Sequence, residues 1–429
     1  MLSQKDFDVE QLGTPEIQTP VPKADWLPEN AGVAYPTEIN DLNEYIRRGE
    51  PVPYFYQAGA TEKIFHDPSW TKAAILTAGG LCPGLNDVIK FLTRTLKRQY
   101  HVPLIYGIRY GYRGLAPQFH LEPLILDEDY VDDIHEIGGS ILGSSRGRQD
   151  EKIMVDTLDR MNINILFCVG GDGTLRCAHD VAAEIRRRHL KISVVGIPKT
   201  IDNDISFIDK SFGFETAIYT SSLFVTAAHN EAEGAYNGIG LIKVMGRDSG
   251  FIAAATTLGN SHINYCLVPE NPFTLDGDGM NSLLPNLEAR LAERHHAVII
   301  VAEGAGQDLF ADRTDRRDAS GNHLHEDIGL FLKARINEYF AAKGIEINLK
   351  YFDPSYTIRS VAARGTDAVF CTMLAQNAVH AAMSGYTDVV IGHWHDAFTL
   401  VPIALATSKR KQIDLTSPLW KSVRATVRL

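Results

Sequence analysis

INILFCVGGDGTLRCAHDVAAEIRR, residues 163–187, joins an apolar run, a glycine-rich turn and a helical pattern in one continuous stretch. The apolar run predicts a buried strand over Ile163–Val169, because short apolar segments that end at glycines are typical of strands. Apolar residues after Thr174 recur with the i, i+3, i+4, i+7 spacing of a helix face, at Ala178, Val181, Ala182 and Ile185. The stretch therefore predicts a strand, a turn and a helix in succession.

Short apolar runs alternate with helical patterns along most of the remaining chain, at Ala73–Leu76, Leu104–Ile108, Ile192–Ile197, Ile239–Val244, Ala297–Ala302 and Val389–Ile391. This alternation predicts an α/β fold with a mainly parallel sheet built from βαβ units. Residues 1–70 are rich in proline and show little periodicity. We interpret them as an N-terminal extension.

Composition narrows the class of protein. A chain of 429 residues with 45% apolar content is long enough for two or three cores. No apolar stretch approaches the ~20 residues that span a bilayer, and the N-terminus lacks the pattern of a secretory signal. The net charge of −11 argues against nonspecific nucleic-acid binding. The five scattered cysteines are expected to be reduced core residues. We predict a cytoplasmic protein with neither a membrane nor a nucleic-acid partner.

Three loops follow predicted strands, where ligands of open α/β sheets bind. The first, GGLCPG at residues 79–84, fits an anion site or a purely structural turn equally well. The second, GGDGT at 170–174, places Asp172 where Mg²⁺ could be held with substrate phosphates, although Asp172 could instead serve only as a helix cap. This motif also occurs in NAD kinases and lipid kinases, so it indicates phosphoryl transfer more than a particular substrate.

The third loop, PKTIDND at residues 198–204, carries the most specific signal. It places Asp202 and Asp204 two residues apart, beside Lys199 and Thr200. If the segment were extended, alternation would direct both carboxylates to one side. Paired carboxylates suit the work of a general base and of metal binding.

With these loops and further motifs, the chain is similar to a known family. It resembles the phosphofructokinases from about Tyr54 to Val390, through the motifs TAGGLCPGLNDVI, ILGSSRGR, GGDGTLR, GIPKTIDNDI, SFGFETA, IKVMGRDSGF, VAEGAGQ and YTIRS. The sequences of these motifs are similar to those of the longer-chain, ATP-using branch, which has a lysine at the position of Lys199. The resemblance implies a phosphotransferase of glycolysis that converts fructose 6-phosphate to fructose 1,6-bisphosphate with Mg²⁺ and ATP.

The resemblance also implies a domain plan. We expect two Rossmann-like lobes with mainly parallel sheets and the active site in the cleft between them. The catalytic domain would cover residues 71–395, with lobe 1 at about 71–215 plus 360–395 and lobe 2 at about 216–359. Residues 396–429 would form a C-terminal tail.

Site residues follow from the resemblance position by position. The nucleotide-binding set is Gly80, Arg146, Gly147, Gly171, Asp172, Gly173 and Thr174, with Asp172 as the magnesium ligand. The catalytic set is Asp202 as general base, Arg247 and Thr200. The sugar-phosphate set is Thr200, Ile201, Asp202, Met245, Gly246, Arg247, Glu303, Lys350, Tyr356, Thr357, Ile358 and Arg359.

Donor choice is expected to depend on Gly173 and Lys199. Pyrophosphate-dependent relatives share the lysine but carry aspartate in place of Gly173, so Gly173 favours ATP. A pyrophosphate-dependent enzyme and a non-catalytic regulatory subunit are the alternatives, and the complete set of Asp172, Asp202 and Arg247 argues against the second. Lys350 lies where the family has an arginine supplied by a neighbouring subunit, which implies a homodimer or homotetramer. Gly238 and Tyr356 depart from the arginine and histidine of the shorter enzymes.

Overall fold

The computed structural model describes residues 2–28, 30–277, 279, 281–310 and 324–428. The chain divides into two compact units. Unit 1 comprises residues 1–201, 205–213 and 361–410, and unit 2 comprises residues 202–204, 214–360 and 411–429.

The strands of the described residues are, in chain order, β1 (Glu10–Gln11), β2 (Ile17–Gln18), β3 (Gly32–Ala34), β4 (Tyr54–Gln57), β5 (Lys63–Ile64), β6 (Lys72–Thr77), β7 (Leu104–Ile108), β8 (Leu124–Ile125), β9 (Ile165–Gly170), β10 (Ser193–Pro198), β11 (Gly238–Val244), β12 (Tyr265–Leu267), β13 (His296–Ala302), β14 (Asn348–Phe352), β15 (Tyr386–Thr387), β16 (Val389–Trp394) and β17 (Ala397–Pro402).

The α-helices of the same residues are α1 (Ile39–Arg48), α2 (Leu85–Arg98), α3 (Glu151–Arg160), α4 (Asp172–Arg187), α5 (Phe214–Glu233), α6 (Phe251–Gly259), α7 (Leu283–Arg294), α8 (Ile328–Ala342), α9 (Ser355–Arg359), α10 (Gly365–Met383), α11 (Ile403–Ala406) and α12 (Pro418–Thr426). Helix α4 begins at Asp172, two residues earlier than the apolar spacing predicts. Asp172 and Gly173 therefore belong to its first turn.

Unit 1 is built on a nine-stranded sheet in the order β3-β4-β17-β16-β10-β9-β6-β7-β8. Its five central strands, from β16 to β7, run parallel. Every residue of β9 is buried, as expected for a parallel strand that is covered on both faces. Leu166 and Cys168 of β9 share one core cluster with Ala178 and Val181 of α4. The α/β fold with a parallel sheet at its centre is confirmed.

Segments outside the predicted catalytic domain also contribute to unit 1. Strands β3 and β4 form one edge of the large sheet, and β17 lies inside it between β4 and β16. Phe7 is fully buried in the same core cluster as β9. Its ring meets that of Phe55 edge-on, with 4.8 Å between centroids. Residues near the N-terminus therefore contribute to the core as well as to the sheet.

Unit 2 contains a four-stranded parallel sheet in the order β12-β13-β11-β14. Its core cluster joins Leu241 of β11 and Ile299 of β13 to Leu287 of α7 and Ile336 of α8. Strands β11 and β13 are therefore packed against helices, and this packing holds in place the residues from which the following loops begin.

All five cysteines are buried, as the sequence predicts for core residues. In the described part of the chain, no helix combines the length and the hydropathy needed to cross a bilayer.

Candidate active site

Three predicted ligand-binding loops leave unit 1 from neighbouring strands. Thr77 of β6 pairs with Val169 of β9, and Gly170 of β9 pairs with Pro198 of β10. Because the strands are parallel and end in register, the loops that follow them emerge side by side at one edge of the sheet.

The Gly79-Gly80 turn is joined to the segment that contains Arg146 and Gly147. Gly79 has a φ of +86°, a conformation that favours glycine. Its N–H donates to the carbonyl of Ser145 at 3.1 Å, and its own carbonyl accepts from the hydroxyl of Ser144 at 2.5 Å. The structure thus brings Gly80, Arg146 and Gly147 together.

Lys199 connects the turn that follows β6 with the one that follows β10. Its residue is only 7% exposed, and its backbone N–H donates to the carbonyl of Gly170 at 3.0 Å. A Cβ built on Gly79 would lie 3.2 Å from the Lys199 ammonium and 3.8 Å from the Thr174 hydroxyl. The glycine therefore leaves room for a buried positive charge among the donor turns, where an anionic ligand would be stabilised.

Asp172 is the first residue of α4, and its side chain is 16% exposed. Its carboxylate pairs with Arg176 at 3.1 Å and with Arg410 at 3.8 Å. One carboxylate at a helix start, among cationic groups that attract phosphate, fits Mg²⁺ that is also held by substrate phosphates. Within the described ranges, no cluster of three His, Cys, Asp or Glu side chains is arranged to hold a metal ion.

Gly173 faces open space. A Cβ built on this residue would have no atom of the protein within 4 Å, and its φ lies outside the left-handed range. Neither packing nor backbone conformation therefore requires glycine here, although glycine weakens a helix relative to alanine. A bound ligand beside Asp172 would explain the missing side chain.

The loop after β10 forms a turn. Ile201 and Asp202 lie in it, and Asn203 has a φ of +53°. The extended arrangement that would align Asp202 with Asp204 by alternation therefore does not hold. Instead the turn is held by specific contacts: the Ser211 hydroxyl donates to the carbonyl of Thr200 at 2.7 Å, and the Ser249 hydroxyl donates to the carbonyl of Asp202 at 3.4 Å.

In unit 2 the loops after β11 and β13 are joined by their backbones. The N–H of Glu303 donates to the carbonyl of Val244, and that of Gly304 to the carbonyl of Gly246, both at 3.0 Å. Gly246 has a φ of +129°, which an L side chain rarely adopts. The segment Met245–Arg247 and Glu303 are therefore neighbours.

Glu303 lies within reach of several charged side chains of unit 2. Burial raises the pKa of its carboxyl, while the positive charges of Arg247, Lys243 and Arg359 act in the opposite direction. These influences fall off with distance, so three predicted site residues, Glu303, Arg247 and Arg359, belong to one electrostatic cluster. Lys243 joins them without having been predicted.

Helix α9 carries the predicted phosphate-binding end, Tyr356–Arg359. The Arg359 guanidinium lies over the ring of Tyr356, 4.7 Å from its centroid. Tyr356 and Thr357 are exposed, whereas Ile358 is fully buried and anchors the helix. Arg359 is thus held by a contact with the Tyr356 ring.

Lys243 ties the start of this helix to β11. Its side chain is 11% exposed and its ammonium lies 3.0 Å from Asp353 and 2.8 Å from Asp327. The Asp353 carboxylate in turn accepts from the hydroxyl of Ser355, the first residue of α9, at 2.6 Å. Burial tends to lower the pKa of Lys243, but hydrogen bonds to the two carboxylates raise it above its usual value.

Lys350 is not brought into this cluster by its own chain. It is an exposed residue in the middle of β14, and its register partner is Gly240 of β11, well before Met245. Gly238, where the shorter enzymes have an arginine, has its own packing reason. A Cβ there would overlap the carbonyl of Ala232, so any larger residue would require the backbone to move.

Sequence reasoning missed three charged residues. The signal for Arg176 was its i, i+4 spacing from Asp172, which places the two on one face of α4. Lys243 lies within the motif IKVMGRDSGF, but its two aspartate partners are distant in sequence. Arg410 belongs to no motif, and only the folded chain shows that it meets Asp172.

The site features are those of an α/β phosphotransferase. They are glycine turns whose backbone can approach phosphate, a carboxylate at the start of a helix, and a separate cationic cluster. The family model described as phosphofructokinase matches residues 72–382. The chain belongs to the phosphofructokinase family, and the resemblance seen in its motifs is confirmed.

Curated relatives match nearly the full length. The ATP-dependent 6-phosphofructokinase of Borreliella burgdorferi is 47% identical, with 97% of this chain and 95% of the relative covered. That of Trypanosoma brucei brucei is 42% identical, with 99% of this chain and 87% of the relative covered. Among solved structures, a pyrophosphate-dependent phosphofructokinase from Marinobacter aquaeolei superposes with a TM-score of 0.67 at 19% identity, covering 83% of this chain and 91% of that one. This last likeness concerns the fold alone.

Proposed function

We propose that this chain is an ATP-dependent 6-phosphofructokinase. It would transfer the γ-phosphoryl group of ATP to the 1-hydroxyl of fructose 6-phosphate and release ADP and fructose 1,6-bisphosphate. Curated relatives with this name at 42–47% identity support the proposal. The observation that carries the choice of donor is the open space at Gly173, which no neighbouring protein atom explains.

On the donor side, the turn N–H groups, Lys199 and Arg146 would bind the phosphates of ATP. Gly80, Gly147 and Gly171 would let the backbone approach the nucleotide, and Thr174 would contact it through its hydroxyl. Asp172 would hold Mg²⁺, which when bound neutralises phosphate charge and orients the transferred group.

In the reaction, the oxygen of the 1-hydroxyl forms a bond to the γ-phosphorus as the bond to the β,γ-bridging oxygen breaks. The hydroxyl proton passes to the carboxylate of Asp202, and ADP leaves with the bridging oxygen. Phosphoryl transfer depends more on positioning and charge stabilisation than on covalent chemistry. Arg247 and the backbone and hydroxyl of Thr200 would stabilise the charge that develops on the transferred group.

On the acceptor side, Glu303 would accept hydrogen bonds from sugar hydroxyls, and Arg359 would bind the 6-phosphate. The stacked ring of Tyr356 limits the orientations of the guanidinium, and an ordered guanidinium suits bidentate binding of phosphate. Met245, Gly246, Ile201, Thr357 and Ile358 would contribute backbone and packing contacts. Lys350 is proposed to act on the site of a partner subunit, so that a homo-oligomer is expected.

A coupled assay that compares ATP with pyrophosphate at saturating Mg²⁺ tests the proposal. We expect phosphorylation of fructose 6-phosphate with ATP and little rate with pyrophosphate. Preference for pyrophosphate would overturn the choice of donor but not the family. Binding of both substrates without turnover would instead indicate a regulatory subunit. Cytoplasmic location and the choice between dimer and tetramer stay predictions.

A further inference from the structure

Two arginines lie against the proposed magnesium ligand in unit 1. Arg176 stands one turn after Asp172 on α4, with its Nη2 3.1 Å from the carboxylate. Arg410 comes from the segment after α11, and its Nη2 lies 3.8 Å from the same oxygen. Arg410 falls outside residues 72–382, the part of the chain that the family model covers.

The position of Arg410 is fixed by its surroundings. Its backbone forms an isolated antiparallel bridge with Ile205, just after the PKTIDND loop. Arg176 also donates to the carbonyl of Thr407 at 3.2 Å, and the Lys409 ammonium lies 5.6 Å from the ring centroid of Phe207. Segment 407–410 is thus held on α4 and beside the loop, and the Arg410 side chain is only 29% exposed.

This arrangement places two positive charges against a carboxylate that would also bind a metal. A guanidinium 3.8 Å from Asp172 competes with Mg²⁺ for the same negative charge. The competition disappears when a polyphosphate is also present, because each phosphate oxygen offers the guanidinium another anionic acceptor. The extra positive charge is therefore better matched to a metal–phosphate complex than to the metal alone.

We propose that Arg410 binds the phosphate groups of the donor, and that Arg176 is a positioning residue that holds segment 407–410 on α4. The proposal rests on the proposed function, since it adds a residue to that donor site. Without donor, Arg410 pairs with Asp172. With donor bound, its guanidinium donates to phosphate oxygens, and the Asp172 carboxylate is left to the metal.

Equilibrium binding of the non-hydrolysable analogue AMP-PNP with Mg²⁺, measured by calorimetry on the full chain, tests the contact. Arg410→Ala should weaken binding about tenfold or more, the range for a lost charge-assisted hydrogen bond. Arg410→Lys should recover part of the affinity, because it keeps the charge but not the planar fork. Lys409→Ala, the adjacent cation on the same segment, is the matched control and should bind as the wild type does.

Mn²⁺ binding to the donor-free protein, followed by electron paramagnetic resonance, gives a second readout of opposite sign. Arg410→Ala should bind Mn²⁺ more tightly, because the competing cation beside Asp172 has been removed. A purely structural ion pair would not strengthen metal binding and weaken analogue binding in the same variant.

An AMP-PNP affinity of Arg410→Ala within about twofold of the wild type would overturn the inference. So would parallel losses of Mn²⁺ binding, analogue binding and thermal stability, which would show a structural role only. Failure of the proposed function is distinct: a regulatory subunit would bind AMP-PNP without phosphorylating fructose 6-phosphate, and a pyrophosphate-dependent enzyme would bind pyrophosphate with Mg²⁺ in place of AMP-PNP. In either case the same Arg410 comparison, made with the ligand that binds, decides the inference.

Discussion

Substitution of Gly173 separates the requirements of the fold from those of the donor. Because a Cβ there would meet no protein atom within 4 Å, Gly173→Ala should not destabilise unit 1. Alanine is up to about 1 kcal/mol more favourable than glycine inside a helix, and position 173 lies in the first turn of α4. We therefore expect a small gain, roughly 0.5 kcal/mol, in the free energy of unfolding.

Gly173→Asp should leave the fold intact but greatly impair the use of ATP. A carboxylate about 4 Å from a phosphate charge costs about 4 kcal/mol at an effective dielectric constant of 20. That energy corresponds to a fall of about 10³-fold in kcat/KM for ATP. Steric exclusion would add to the loss, and the alanine variant measures that part separately.

Urea unfolding and a coupled assay over a range of ATP concentrations measure the two effects. Retention of ATP kcat/KM within about tenfold in Gly173→Asp would refute the reasoning, since electrostatic repulsion alone predicts more. A loss of stability in Gly173→Ala would show that glycine is needed by the fold after all.

Three further variants test the acceptor side by initial rates and thermal unfolding. Asp202→Ala should lower kcat by about 10²–10⁴ with little change in KM for fructose 6-phosphate; a near-normal kcat would exclude Asp202 as the base. Burial raises the pKa of Glu303, so its stabilising effect is complete below the unfolded pKa of about 4.3 and is lost as pH rises through the folded pKa. Glu303→Gln should therefore raise Tm at pH 7 and raise KM for fructose 6-phosphate. In the wild type that KM should increase on the acid side as the Glu303 carboxylate is protonated, and the variant should lack this increase. An acid-side increase that persists would assign it to another group. Lys243→Met should raise KM for fructose 6-phosphate more than KM for ATP. It should also lower the free energy of unfolding by about 1–2 kcal/mol, less than for a fully buried ion pair because Asp353 is about a third exposed. Lys343→Met, which breaks the Glu288 pair in the same unit, is its control; equal effects on both KM values would show a general structural loss.

Local sequence was enough to predict the central strands and their loops. The run at residues 165–169 is apolar throughout because β9 is buried on both faces, and glycines mark its end. Leu104–Ile108 has the same limits in the sequence and in the structure. These features depend on neighbours in the chain, so periodicity and turn residues report them directly.

Features that depend on distant residues were beyond local patterns. The turn at Asn203 replaces the extended arrangement that alternation suggested, and hydrogen bonds from the distant Ser211 and Ser249 hold it. The pairing of Lys243 with Asp327 and Asp353 and the approach of Arg410 to Asp172 require the tertiary fold. Neither pair has a spacing that a sequence pattern could detect.

The placement of β17 between β4 and β16 has a consequence for biosynthesis. Thr399 and Leu400 supply the register partners of Gln57 and Tyr56, so β4 cannot join the large sheet until about residue 400 has left the ribosome. During most of translation the edge of β4 that will pair with β17 has unpaired backbone groups, which makes it vulnerable to aggregation. Such long-range pairing also slows folding. We expect a chain released before β17 to be a substrate for chaperones, with β3 and β4 the last strands of that sheet to become protected from hydrogen exchange.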